Sequence, residues 1–181
     1  EGGLRQAESC TAGGAVRGAA ARVIVVGGGL AGATCARYLR QLMPTLAVTL
    51  IEPRRQFLTG PMSNAMLAGL CEPAAITRSP SALTAIGVDW LQQAATDIDP
   101  VRRRVRTDDG RWHEAERLVL APGIALRWDR IDGLDAERSV AMPHGWEGDA
   151  SLLALKRRLA ALPDGATVLI GAPPNPYRCP P

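Results

Sequence analysis

The sequence predicts an α/β fold in which a parallel sheet is followed by a β-meander. Three observations predict it. The β-branched run 23–26 stops at three glycines, and a pattern of small residues typical of a helix follows. A second apolar run closes with an acid, Glu52. Short alternating stretches joined by an Asp-Gly turn at Asp109-Gly110 then indicate a hairpin and a meander.

The glycine-rich turn carries the strongest functional signal. Gly27, Gly29 and Gly32 stand in the G-x-G-x-x-G register, with the strand before it and the helix after it that a Rossmann-like turn requires. Gly27 permits the tight turn, Gly29 lets a pyrophosphate approach the backbone, and Gly32 lets the helix pack closely on the strand. The predicted cofactor contacts here are Gly27, Gly28, Gly29, Leu30, Ala31 and Gly32. A glycine-rich turn that binds nothing is the alternative.

The first helix is predicted over Leu30–Leu42. Its periodicity places Leu30, Thr34, Tyr38 and Leu42 on one buried face, with Ala31, Cys35 and Leu39 on a neighbouring stripe of that face. The second strand, residues 46–51, completes a parallel strand–helix–strand unit.

Glu52 lies about 20 residues beyond the last glycine, at the tip of the second strand. A carboxylate there can accept two hydrogen bonds from a ribose diol, and it would repel a 2′-phosphate. The alternative is that Glu52 is only the first exposed residue after a buried strand.

The chain beyond Glu52 departs from a simple strand–helix repeat. Residues 53–80 are irregular, and a helix over 81–86 and a strand over 88–92 follow. Meander strands are predicted over Ala95–Asp99, 102–107 and 111–114, and a return strand over Arg117–Leu120. This layout is typical of FAD domains in flavoproteins with two dinucleotide folds. Further predicted cofactor contacts are Pro53, Ala95, Ala121, Pro122 and Gly123.

Three regions are predicted along the chain. Residues 1–21 form a flexible lead-in without the apolar core of a signal peptide, and residues 22–130 form the first part of the FAD-binding domain. Residues 131–181 begin a second domain like those that bind NAD(P), which looks truncated. Within it we expect a polar loop over 131–150, an amphipathic helix over 151–162 and a buried strand over 167–171.

Composition excludes several classes of function. The chain has 181 residues, 46% of them hydrophobic, and a net charge of +3. The densest basic run, residues 102–106, alternates with valine and lacks interleaved aromatic residues, so we predict no nucleic-acid partner. No stretch is long and apolar enough to predict a transmembrane segment. The four cysteines lack metal-like spacing, so no metal site is predicted.

Several stretches match a known family. They are Val25-Val26-Gly27-Gly28-Gly29, Thr49-Leu50-Ile51-Glu52-Pro53, Met62-Ser63-Asn64, Ile98-Asp99-Pro100, Leu120-Ala121-Pro122-Gly123-Ile124, Pro143-His144-Gly145-Trp146 and Ala172-Pro173-Pro174-Asn175-Pro176-Tyr177-Arg178-Cys179-Pro180-Pro181. With these motifs the chain resembles, over residues 22–181, the flavoprotein subunit of flavocytochrome c sulfide dehydrogenase, a relative of the sulfide:quinone reductases. The last stretch is the most specific.

The resemblance implies FAD in the first domain, oxidation of sulfide at a cysteine pair, and electron transfer through FAD to a cytochrome c partner in the periplasm. Cys179 falls on the first cysteine of that pair. The second would lie beyond residue 181, so this piece alone is expected to be inactive. Several family members attach FAD through a cysteine where this chain has Gly60, which implies non-covalent FAD here.

Three alternatives stay open. A sulfide:quinone reductase would need amphipathic carboxyl-terminal helices. An NADH-dependent disulfide reductase would need a second glycine-rich turn after Ile170, where Pro173 and Pro174 fit poorly. A nucleotide-binding or interaction domain without enzymatic activity is the third.

Overall fold

The structure is a computed structural model that describes residues 21–145 and 150–171. Its elements, in chain order, are β1 (Arg22–Val26), α1 (Leu30–Leu42), β2 (Ala47–Ile51), β3 (Phe57–Leu58), α2 (Ser63–Leu67), α3 (Pro73–Ile76), β4 (Thr77–Arg78), α4 (Ser81–Thr84), β5 (Val88–Leu91), β6 (Ala95–Asp99), β7 (Arg104–Thr107), β8 (Trp112–Glu114), β9 (Arg117–Leu120), α5 (Ala136–Ala141) and α6 (Ala150–Ala160). Two 3-10 turns, Gly60–Met62 and Trp128–Arg130, complete them.

A four-stranded parallel sheet forms the centre of the fold, in the order β5-β2-β1-β9. Val26 at the end of β1 pairs with Ile51 on one side and with Leu120 on the other. The residues that follow these three strands therefore meet at one edge of the sheet. The predicted α/β fold with a parallel sheet is confirmed.

The two faces of the sheet pack against different partners because successive side chains of a strand point to opposite sides. Val23 and Val25 face α1 and the buried residues Val48 and Leu50. Ile24 and Val26 face the meander, β6-β7-β8, where Val105 is fully buried. The predicted meander is confirmed, with β6 and β8 each antiparallel to β7.

The buried face of α1 differs from the predicted one. Gly32 and Ala36 are its buried residues, whereas Leu30, Tyr38 and Leu42 are exposed. Small side chains bring the helix axis close to the sheet, and the larger residues at the predicted positions then point into solvent. The predicted stripe of Leu30, Thr34, Tyr38 and Leu42 is therefore wrong, whereas Leu39 of the neighbouring predicted stripe packs against the core.

A third apolar cluster lies away from the sheet. Met66 of α2, Ile76 of α3 and Leu152 of α6 are almost wholly buried against one another. The irregular excursion after β2 is therefore folded into short elements that pack against α6.

Two predictions for the later part of the chain are wrong. Residues 136–141 form α5 rather than a loop, and the side chain of Asp135 caps it by accepting from the Arg138 backbone N–H at 2.7 Å. Residues 167–171 form no strand, and Leu169 and Ile170 are 95% and 90% exposed. A strand requires a hydrogen-bonded neighbour, and no segment of the described ranges lies beside this one. Within these ranges, no helix has both the length and the apolar character to cross a bilayer.

Candidate functional site

The turn after β1 is held by close backbone contacts. Gly27 has a φ of +95°, and its N–H donates to the carbonyl oxygen of Ile51 at 2.9 Å. A Cβ on Gly27 would overlap the carbonyl oxygen of Ala121, and a Cβ on Gly32 would overlap that of Gly27. Both positions therefore require glycine because of packing within the protein.

Gly29 differs from these two glycines because the protein itself does not fill the space beside it. A Cβ built there would meet no atom of the described residues within 4 Å. Gly29 is also the N-cap of α1, a helix of 13 residues. Among the described residues, no side chain caps this helix, and its first turn carries no acidic residue. The backbone N–H groups of the first turn, which lack partners within a helix, face an open and electrostatically positive approach. A pyrophosphate group fits this surface.

Glu52 is a buried carboxylate that faces the same turn. Its residue is only 2% exposed, which excludes the alternative of a merely exposed residue after a strand. Its Oε2 accepts from the Gly28 backbone N–H at 2.7 Å and from Arg54 Nη2 at 3.2 Å. Its Oε1 accepts from the Arg54 backbone N–H at 2.9 Å and from Arg54 Nε at 2.8 Å. Trp90 Nε1 donates to the Glu52 carbonyl oxygen at 2.9 Å, which fixes the backbone.

The environment of Glu52 keeps it ionised. Burial raises the pKa of the carboxyl, but the hydrogen bonds and charge of Arg54 and the Gly28 N–H outweigh burial, so the pKa lies below its usual value of 4.5. A charged carboxylate is the form that accepts hydrogen bonds from sugar hydroxyls.

A cleft of about 240 Å³ opens where these parts meet, at the carboxyl ends of the parallel strands. It is lined by Val26, Gly27, Ile51, Glu52, Pro53, Arg54, Ala94, Ala95 and Pro122. A larger cleft of about 400 Å³ lies near the opposite ends of the strands and includes Arg22, Asp89 and His113. Ligands of open α/β sheets bind at the carboxyl ends of the strands, so the smaller cleft is the candidate site.

The structure brings most of the predicted site residues together. Gly27, Glu52, Pro53, Ala95 and Pro122 line the cleft, and Ala121 packs on its glycine turn. The other predicted residues are close in the sequence to these. Gly28 donates its N–H to Glu52, and residues Gly29 to Gly32 form the N-cap and the first residues of α1. Gly123 comes directly after Pro122 and has a φ of +79°.

The other predicted residues that the structure describes do not line the cleft. Gly28 to Gly32, Ala121 and Gly123 belong to the two turns that contribute Gly27 and Pro122 to it. Gly60 lies in the 3-10 turn Gly60–Met62 and is not among the lining residues. Cys179 lies outside the described residues. Four residues line the cleft but were not predicted: Val26, Ile51, Arg54 and Ala94. The signal for Arg54 is a basic residue two positions after the acid that ends β2.

The fold and the site together define a dinucleotide-binding α/β domain. The model of the pyridine nucleotide-disulphide oxidoreductase family matches residues 21–172, and the chain belongs to this family.

Named relatives refine this placement. The chain is 58% identical over 45 residues to the sulfide dehydrogenase (flavocytochrome c) flavoprotein chain of Chlorobaculum thiosulfatiphilum, a match that covers 25% of this chain and 94% of that one. It is 30% identical over 112 residues to the mitochondrial sulfide:quinone oxidoreductase of Mus musculus, covering 62% of this chain and 25% of the relative. The predicted resemblance to this group of sulfide-oxidising flavoproteins is confirmed, and these relatives support FAD as the cofactor.

A solved structure agrees with these relatives. The sulfide:quinone oxidoreductase from Aquifex aeolicus superposes with a TM-score of 0.62 at 27% identity, over 78% of this chain and 32% of that chain. The chain thus spans about a quarter of the length of the mouse relative and about a third of the solved Aquifex chain.

Proposed function

We propose that the protein to which this chain belongs is an FAD-dependent oxidoreductase that oxidises sulfide. The observation that carries the proposal is the contact between the glycine turn and Glu52: Gly28 donates its N–H to the buried, ionised carboxylate at 2.7 Å, and the next residue, Gly29, is the open N-cap of α1. The glycine turn binds a diphosphate and Glu52 a ribose diol, and an adenine dinucleotide presents both groups. The relatives whose names refer to a flavoprotein and to sulfide support the class of cofactor and of substrate in this proposal.

The cofactor contacts follow from the cleft. In this proposal the turn from Gly27 to Gly32, including Leu30 and Ala31, holds the pyrophosphate, and Glu52 holds the ribose. Pro53 and Ala95 line the cleft together with Glu52, and Pro122 lines it from the turn of Ala121 to Gly123, which supplies the remaining cofactor contacts. Bound FAD would accept electrons two at a time from the sulfur chemistry and pass them on.

The sulfur chemistry is assigned to Cys179. A sulfide anion attacks one sulfur of a disulfide that includes Cys179, which forms a new sulfur–sulfur bond and releases the other cysteine as a thiolate. Arg178, the neighbour of Cys179 in the sequence, favours the thiolate by its charge. The released thiolate carries the electron pair, and bound FAD would supply the two-electron acceptor for it.

Two electron acceptors are compatible with the relatives. The match to a flavocytochrome c flavoprotein chain favours a cytochrome c partner and a periplasmic location. The mouse and Aquifex matches favour a quinone instead. We favour the cytochrome because that match has the higher identity, and reduction of a c-type cytochrome against a short-chain quinone by the sulfide-treated protein separates the two.

The cofactor proposal is tested by an absorbance spectrum of the full-length protein. We expect a flavin band that acid precipitation releases into the supernatant, because Gly60 offers no sulfur for covalent attachment. Flavin retained in the pellet contradicts non-covalent binding. A folded protein that has no flavin absorbance and does not bind added FAD contradicts the whole proposal.

The sulfur step is tested by titration with sulfide under anaerobic conditions. We expect bleaching of the flavin band in the full-length protein, its loss in Cys179→Ser, and its retention in the matched control Cys71→Ser. Cys71 lies beside the cluster formed by Met66, Ile76 and Leu152 and not in the cleft. Equal bleaching in both variants contradicts the role of Cys179.

A further inference from the structure

The carboxylate of Glu52 has as many hydrogen-bond donors as it can accommodate. An ionised carboxylate offers about four acceptor positions, two on each oxygen. Glu52 receives two donors on Oε1 and two on Oε2. The side chain of Arg54 fills one position on each oxygen, and backbone N–H groups of Gly28 and Arg54 fill the others.

The two positions held by the guanidinium match the needs of a ribose. A vicinal diol presents two hydroxyl groups, and each requires one acceptor position on the carboxylate. If the Arg54 side chain turns away, the backbone donors stay in place and one position becomes free on each oxygen. The same two positions therefore serve the guanidinium or the diol, but not both.

The two partners also differ in how firmly the protein holds them. The side chain of Glu52 is 3% exposed, whereas that of Arg54 is 58% exposed. Because the guanidinium of Arg54 reaches solvent, water can solvate it when a ligand takes its two positions on the carboxylate. The carboxylate itself is fixed by the Gly28 and Arg54 backbone groups and by its burial.

We infer that the Arg54 side chain is a built-in competitor of the nucleotide ribose for Glu52, and that the cofactor must displace it to bind. The inference rests on the proposed function, in which Glu52 receives the ribose. Arg54 thus lowers the affinity for the cofactor. In the absence of the cofactor, it supplies hydrogen bonds to the buried carboxylate of Glu52.

The test measures binding of two probes to the full-length protein from which FAD has been removed. ADP carries the ribose diol, and 2′,3′-dideoxy-ADP lacks it. Calorimetry at about pH 8, where carboxylates are ionised, compares Arg54→Met with Arg55→Met. Arg55 is the matched control because it carries the same charge one residue further along and makes none of the contacts to Glu52 described above.

We expect Arg54→Met to bind ADP about three- to tenfold more tightly than Arg55→Met, the range for removal of a competing hydrogen-bonded pair. With the dideoxy probe the two variants should bind equally. ADP binding by Arg54→Met that equals or falls below that of Arg55→Met overturns the inference, as does an equal gain for both probes.

A second variant tests the inference if Arg54→Met fails to fold. Arg54→Lys replaces the planar guanidinium by an ammonium group, so we expect a smaller gain in ADP affinity than for Arg54→Met. A loss of ADP affinity in Arg54→Lys would overturn the inference.

Glu52→Gln separates this inference from the proposed function. If it leaves ADP and dideoxy-ADP binding unchanged, the ribose contact of the proposed function is wrong and the competition fails with it. If it weakens ADP selectively while Arg54→Met has no effect, only the competition is wrong.

Discussion

The carbonyl oxygen of Ala121 lies 2.1 Å from the point where a Cβ of Gly27 would stand, so Gly27 has no room for a side chain. Ala121 also donates its N–H to the carbonyl oxygen of Val26 at 2.8 Å. The turn after β9 is thereby locked onto the turn after β1. This contact positions Pro122, which lines the cleft together with Glu52, and it makes Gly27 a structural position.

Gly27→Ala is therefore expected to destabilise the protein severely. The φ of +95° alone costs a residue with a Cβ about 1–2 kcal/mol, and overlap with the Ala121 backbone adds to it. We expect a total loss above about 3 kcal/mol in urea unfolding. Gly133→Ala is the control, since Gly133 has a φ of +80° but an open surrounding. Equal losses in the two variants would contradict the role of the Ala121 contact.

Gly29→Ala is expected to separate binding from stability. A Cβ at Gly29 meets no protein atom within 4 Å and the φ of −67° suits any residue, so the free energy of unfolding should change by less than about 1 kcal/mol. The same methyl group would occupy the space that a pyrophosphate needs, so FAD affinity should fall by at least about tenfold. Fluorescence titration with FAD measures it. Unchanged affinity would show that the diphosphate lies elsewhere.

The sequence was sufficient to predict the cleft at the level of its backbone. The glycine spacing and the acid after β2 are local signals, and the parallel register carries them to one edge of the sheet. The Arg54 contacts were not predictable in this way, because a side chain two residues beyond the acid can turn toward it or into solvent. Only the folded position of Glu52 shows which of these the chain adopts.

The wrong predictions for α1 and for residues 167–171 have a common cause, since both depend on what packs against the segment. Periodicity identifies α1 as amphipathic, but it cannot tell whether the sheet accepts large or small side chains. The face that packs is the one with Gly32 and Ala36, because these residues permit close approach. Likewise, the apolar run 167–171 has strand propensity, but a strand forms only where a neighbour pairs with it.

Ala36→Leu tests the packing of α1. Ala36 is fully buried against the strands, so a larger side chain should cost about 1–3 kcal/mol through displaced neighbours. Leu42→Ala, at a position that is 78% exposed, should change stability by less than about 0.5 kcal/mol. Chemical denaturation measures both. A larger loss in Leu42→Ala than in Ala36→Leu would restore the buried face predicted from periodicity.

Glu52 should make stability depend on pH in acid. Its pKa is lower in the folded protein than the usual 4.5, so its contribution is fully present above that value and is lost as the pH falls through the folded pKa. At neutral pH, Glu52→Gln should lower stability by about 1–3 kcal/mol, because the pair with Arg54 loses its charge. As the pH falls below 4.5 and through the folded pKa, the difference between the variant and the parent should shrink. Thermal melts from neutral to acid pH measure this, with Glu114→Gln, an exposed strand residue, as control. A difference that grows in acid would contradict the lowered pKa.

The turn between β7 and β8 provides a second titration that can be followed at a single residue. The Thr107 hydroxyl donates to Asp109 Oδ1 at 2.7 Å, and with the Arg111 N–H and the Gln93 side chain it lowers the pKa of Asp109 from 3.8 to about 2. Thr107→Val removes the largest of these causes, so the pKa of Asp109 should rise toward 3.8.

NMR titration of the Asp109 carboxyl carbon measures the shift, and Thr96→Val is the control because Thr96 bonds to the carbonyls of Arg106 and Thr107 rather than to Asp109. The stabilising effect of the ionised Asp109 is present above 3.8 and is lost as the pH falls through about 2, so in Thr107→Val that loss should begin at a higher pH. If the pKa of Asp109 stays near 2 in Thr107→Val, the backbone N–H of Arg111 and the Gln93 side chain account for the shift without the hydroxyl.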